Sequence, residues 1–206
     1  MYSTLYCPEK RLQIGKATNV VLSFDFGAEY AEELIVHEQH GGGLLSTNLV
    51  RHLKFSAIAR TYISSRLAAL PSHYVAIHIR HTDYKTAYVN YLLELKQQFA
   101  NKHVLICSDN VEVIAEARNL LSDSKVFTVT KVPNLNGMPL HRFKNYNSEN
   151  ERIEATLRSL ADLIALALSE KLYFTNVQKG HASGFSRLAN FLHDHKPVVH
   201  SLLGIA

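Results

Sequence analysis

The chain predicts an α/β fold built on a parallel sheet with helices on both faces, and three observations carry that expectation. From residue 74 onward, short apolar runs alternate with segments of helical periodicity. The runs, such as Tyr74–Ile79 and Val104–Cys107, lack an in–out alternation, which is the pattern of strands buried on two sides. The helical segments between them are long enough to return over a sheet, so each strand–helix–strand unit is parallel and right-handed.

Taken in order, Val20-Val21-Leu22-Ser23-Phe24 and Leu34-Ile35-Val36 read as strands before a seam at Gly41-Gly42-Gly43. That triplet lacks a following Gly-Lys-Ser/Thr, so it is a hinge rather than a phosphate loop. Ser46 or Thr47 caps a helix through Leu49, Leu53, Ile58, Tyr62, Ile63, Leu67 and Leu70, which Pro71 ends. Tyr74–Ile79 is then a strand, Ala87–Phe99 a helix, Val104–Cys107 a strand, and Val113, Ile114, Ala117 and Leu121 mark a second helix. Val126–Val129 is a strand, and a polar loop from Asn134 to Asn147 leads into a helix from Glu151 to Ser169. Leu157, Leu160, Ala161, Ile164, Ala165 and Leu168 give that helix a broad apolar face for burial. Leu172–Val177 is a strand, Phe185–Leu192 a helix, and Val198–Leu202 a last strand.

Composition narrows the function. The chain has 206 residues, 47% apolar and 19% charged, which suits one domain or one domain plus part of another. It carries none of the biases of disordered, collagen-like or coiled-coil chains. The longest apolar run, Leu163 to Leu168, is far short of the ~20 residues that cross a bilayer, so no transmembrane segment is expected. The start, Met1-Tyr2-Ser3-Thr4, has no basic segment before an apolar stretch and predicts no signal peptide. Cys7 and Cys107 form no disulfide framework, and Cys107 reads as a buried small hydrophobe; a reducing, cytoplasmic setting follows.

The net charge of +4 is spread along the chain rather than gathered into a stripe, so a small anionic ligand fits and a nucleic-acid partner is not expected. The twelve histidines include close pairs at His37/His40, His78/His81 and His193/His195, but no Cys pair or carboxylate cluster joins them at zinc-like spacing. No metal site is expected.

In an open parallel sheet, ligands bind beyond the carboxyl ends of the strands. There the chain places His78-Ile79-Arg80-His81-Thr82-Asp83-Tyr84, then Ser108-Asp109-Asn110, then Thr175-Asn176 and His181-Ala182-Ser183-Gly184-Phe185-Ser186-Arg187. Arg80, at the end of an apolar strand, needs a partner. A diphosphate satisfies it through bidentate hydrogen bonds, and so does a salt bridge to Asp83 or Asp109. Ser183-Gly184-Phe185-Ser186 opens a helix, either as a phosphate cradle or with Ser183 as a plain cap. Asp162 lies in the buried helix and also needs a partner: a purine's ring N–H and amino group, or Arg80, Arg158 or His78.

These segments together resemble a family. Val75-Ala76-Ile77-His78-Ile79-Arg80-His81-Thr82-Asp83 is similar to the His-x-Arg-Arg-x-Asp signature of the superfamily of α1,2-, α1,6- and protein-O-fucosyltransferases. Ala161-Asp162-Leu163-Ile164-Ala165-Leu166, and the run from Thr175 through Ser183-Gly184-Phe185-Ser186-Arg187-Leu188-Ala189, resemble its second and third motifs in the same order. The resemblance spans about Tyr74 to Leu192. His81 stands where many members carry a second Arg.

The resemblance implies a GT-B glycosyltransferase, with residues 46–206 as a Rossmann-like domain that binds a GDP-sugar. About 73 residues precede the first motif, so residues 1–45 are expected to be a remnant or minimal acceptor-side portion. It further implies metal-independent, inverting transfer of L-fucose from GDP-fucose to a glycan acceptor, with no cofactor beyond the donor. The alternative is a nucleotide-binding module without catalysis. Carried over by position, Arg80 binds the β-phosphate and stabilises the departing GDP, His78 contacts the nucleotide, and Asp83 braces the motif loop. Asp162 reads guanine, and Ser183, Gly184, Phe185 and Ser186 contact the nucleotide and its phosphates. Glu29, Glu32, Glu33, His37, Glu38 and His40 are the candidate general bases.

Overall fold

A computed structural model describes residues 4–7, 12–15, 47, 49–82, 85–132, 146–177 and 181–205. The chain divides into two compact units, Met1–His40 and Gly41–Ala206. In the first, β1 (Thr4–Cys7) and β2 (Leu12–Gly15) pair antiparallel, with Thr4 opposite Gly15 and Cys7 opposite Leu12. The strands expected at residues 20–24 and 34–36, the glycine seam at 41–43 and the candidate bases between residues 29 and 40 lie outside the described residues.

The second unit is the expected α/β fold. Its four-stranded sheet is wholly parallel and holds β3 (Val75–Ile79), β4 (His103–Ser108), β5 (Lys125–Phe127) and β6 (Lys171–Phe174) in the order β5-β4-β3-β6. A 3₁₀ turn at Val50–His52 precedes α1 (Ala57–Leu67). Helix α2 (Tyr88–Phe99) joins β3 to β4, α3 (Val111–Leu120) joins β4 to β5, and α4 (Glu149–Leu168) lies between β5 and β6. A short antiparallel pair, β7 (Asn176–Val177) and β8 (His181–Ala182), leads into α5 (Gly184–Asp194) and α6 (Lys196–Leu203).

Every residue of β3 is buried, and the two-residue period divides them between two cores. Val75, Ile77 and Ile79, with Val104 and Ile106 of β4, pack beneath Leu92, Leu95 and Phe99 of α2 and Val113 and Ile114 of α3. Ala76, with Leu105 and Cys107, joins the other core, formed with α1, α4, α5 and α6. His78 and Arg80 share the parity of Ala76, so the strand directs both toward the α4–α5 layer. Cys107 and Asp109 follow the same parity at the end of β4. The two helical layers each cover a full face of the sheet, as burial of a parallel sheet requires.

Local chemistry sets the helix ends. Ser56 caps α1 by accepting from the Ala59 N–H, and Asn110 caps α3 by accepting from the Glu112 N–H. Ser148 caps α4, while the Glu151 side chain reaches back to the Asn147 N–H.

Two expectations are corrected. The helix expected from Ser46 or Thr47 to Leu70 is interrupted: Thr47 and Leu49 are helical and a 3₁₀ turn follows at Val50–His52, but Leu53 is extended and a separate helix capped at Ser56 starts at Ala57. The strand expected at Val198–Leu202 is the helix α6. Pro197 sits in its first turn, where a missing N–H costs nothing, and Val198, Val199, Leu202 and Leu203 bury one helical face. Gly204, at φ 67°, ends it in the left-handed region that glycine adopts without strain. Among the described residues, no helix is long and apolar enough to cross a membrane.

Candidate functional site

The chain leaves β3, runs outward through β4 and β5, and returns to β6 on the other side of β3, so the strand order reverses between β3 and β6. The carboxyl ends of strands at such a switch point diverge and open a crevice. A cleft of about 120 Å³ opens in this region, lined by His78 and Arg80 from the end of β3 and by Cys107, Ser108 and Asp109 from β4. Thr130, Lys131 and Val132 follow β5 into its wall, while Arg158, Ser159 and Asp162 reach it from α4 and Phe185 from the start of α5. Sites that enclose a drug-sized ligand hold roughly 300–1,000 Å³, so this cleft encloses a ring rather than a whole nucleotide-sugar.

Arg80 is ion-paired: its Nε lies 3.0 Å from Asp109 Oδ2, and both side chains are largely buried. Asp109 also accepts from the His81 N–H at 2.9 Å and from the Thr82 hydroxyl. One carboxylate at the end of β4 thus fixes the turn leaving β3. His81 is directed elsewhere; its ring packs edge-on against Tyr88, 4.7 Å between centroids, and Nδ1 accepts from the Thr86 N–H. Asp83 lies outside the described residues.

His78 is 5% exposed. Its Nδ1 lies 2.7 Å from Ser186 Oγ, which lies 2.9 Å from Ser183 Oγ, and its ring is 4.9 Å from that of Phe185. Burial holds His78 down at about 4, so the ring is neutral near pH 7. Ser183 is a helix cap, accepting from the Ser186 N–H at 3.1 Å. Ser186 is fully buried behind the cleft wall, holding the imidazole, while Phe185 forms the wall itself. Gly184 is exposed as the first residue of α5.

Asp162 is met by a hydroxyl rather than a cation. Thr130 donates from Oγ1, which lies 2.9 and 3.1 Å from the two carboxylate oxygens. Among the described residues neither Arg80, Arg158 nor His78 forms a hydrogen bond or ion pair with it; Arg158 instead pairs with Glu154 at 2.5 Å. Burial without a counter-charge raises the Asp162 carboxyl to about 7, and the Thr130 hydrogen bond only partly opposes that rise. Cys107 is a free, buried thiol whose pKa the same burial pushes well up.

Thr130 was not foreseen from the sequence. Its one signal was indirect: a carboxylate inside α4 needs a donor, and the segment that follows β5 can offer one. Thr175, expected at the rim from the sequence, has its hydroxyl buried just beyond the end of β6 with no hydrogen-bond partner among the described residues. No group of three or more His, Cys, Asp or Glu among the described residues is placed to hold a metal ion. No protein-family model matches the chain, and no curated protein matches it in sequence.

Proposed function

We propose that the chain is a glycosyltransferase of the fucosyltransferase type, transferring L-fucose from GDP-fucose to a glycan acceptor with inversion and without a resident metal. The supporting observation is convergence. Three segments far apart in sequence and carrying the family-like motifs, His78–Arg80, Asp162 and Ser183–Ser186, meet around one cleft at the switch point of a parallel sheet.

Each group suits a part of the donor. Asp162, with Thr130 beside it, offers acceptor capacity to a base that presents ring N–H and amino donors. The N-terminus of α5 offers the positive end of its dipole to a phosphate, next to the neutral His78. Arg80, oriented by Asp109, stabilises negative charge developing on the departing diphosphate. Ser186 acts from behind the wall by holding the His78 ring.

One observation favours a second reading, a GDP-sugar-binding module without turnover. Asp109 shares the Arg80 charge that the transfer reading assigns to the leaving group. Incubation with GDP-fucose and chromatography of the products separates the two. Release of GDP supports the transferase, binding without release supports the module, and neither binding nor release rejects both.

A further inference from the structure

We propose that Thr130 is a positioning residue that favours the ionised form of Asp162, the form that accepts a base donating ring and exocyclic N–H groups, so that such a base enters the cleft with release of the carboxyl proton of Asp162. This rests on reading the cleft as a nucleotide-base site, and it adds the residue and the linkage that set when the base can bind.

The geometry carries it. Thr130 is buried, and its single hydroxyl hydrogen is shared between both oxygens of Asp162, at 2.9 and 3.1 Å. A carboxylate has about four lone-pair sites, and a hydroxyl occupies only part of that capacity. Among the described residues no other side chain donates to it. The remaining sites can take two donors from a base only when the carboxyl is ionised, because a protonated carboxyl turns one oxygen into a donor.

The neighbours leave this titration to Asp162. His78 and Arg80 come from the end of β3, Cys107 and Asp109 from the end of β4, Lys131 from the segment after β5, and Arg158 from α4 itself. His78 is held near 4 and the Cys107 thiol is pushed well up, so neither changes charge between pH 6 and 8. Asp162, raised to about 7, does.

The test is the dissociation constant for GDP from pH 6 to 9, by calorimetry, in the parent, Thr130→Val and Thr130→Ser. Carboxyl carbon NMR of Asp162 in the ligand-free proteins runs alongside. In the parent, affinity rises about tenfold per pH unit below the midpoint and levels above it. Thr130→Val keeps the shape but removes the donor, so both the carboxyl titration and the binding midpoint move up by about one unit. Affinity then falls roughly five- to tenfold at pH 7 and returns nearly to the parent value at pH 9. Thr130→Ser keeps the parent midpoint. An unchanged Asp162 titration in Thr130→Val overturns the role of Thr130, whatever GDP does. GDP affinity that is flat with pH, beside a shifted titration, overturns the linkage alone. Absence of GDP binding at every pH removes the nucleotide reading beneath it.

Discussion

Asp109 holds Arg80 by its Nε at 3.0 Å and holds the next two residues through the His81 N–H and the Thr82 hydroxyl. Arg80 makes this ion pair and also lines the cleft, so the pair sets the orientation of the guanidinium at the cleft wall.

Arg80→Ala tests both halves of that statement. Losing a charge-assisted contact to a diphosphate costs roughly 1.5–3 kcal/mol, or about ten- to a hundred-fold in GDP affinity. The substitution also leaves Asp109 without its cation, so the fold loses about 1–3 kcal/mol. Adding Asp109→Asn to Arg80→Ala restores part of that stability, since no lone carboxylate remains, and does not restore GDP affinity. Urea denaturation and calorimetry on the three proteins read this out. Full GDP affinity in Arg80→Ala makes the ion pair purely structural.

His78 and Asp162 give opposite pH dependence to the ligand-free protein. Asp162 has its folded pKa raised to about 7, so its contribution to stability falls as pH rises from the ordinary carboxylate range to about 7. His78 has its folded pKa lowered to about 4, so its contribution falls as pH drops through the ordinary histidine value toward 4. The two slopes offset each other over most of the acid range. Asp162→Asn unmasks the histidine slope. Its stability relative to the parent grows with pH from ~4 to about 7 and then levels, reaching roughly 2–4 kcal/mol. Thermal or urea melts between pH 4 and 8 measure the difference. A variant less stable than the parent at pH 8 shows a cation paired with Asp162 instead.

Thr175→Val replaces a buried hydroxyl that has no hydrogen-bond partner among the described residues with a methyl of similar shape. Removing an unsatisfied polar group is neutral or stabilising, by up to about 1 kcal/mol. The midpoint of urea denaturation checks it. A clear loss of stability identifies a partner for that hydroxyl.

The sheet was legible because β3 and β4 are mostly apolar, without in–out alternation, and the positions of His78, Arg80 and Asp109 follow from strand parity once the sheet is drawn. Two elements were not. Val198-Val199 carries strong strand propensity, and only the pairing of Pro197 with the later Leu202-Leu203 reveals a helix that buries one face. The ribbon of β1 and β2 has four-residue strands, too short to display a period. Within the site, residue types at the strand ends were readable, but pairing was not. Choosing Asp109 for Arg80, or Thr130 for Asp162, requires knowing which strand ends and helices face each other across the cleft. Ser186 looked like a ligand contact because it opens α5, yet helical phase turns it inward to His78.

Calorimetric titration with GDP and ADP in the presence of a chelator asks whether this cleft binds a guanine nucleoside diphosphate through the protein's own groups. GDP is expected to bind without metal and at least tenfold more tightly than ADP, with that preference lost in Asp162→Asn. Equal affinity for the two nucleotides, or binding that appears only when Mg²⁺ is added, contradicts it.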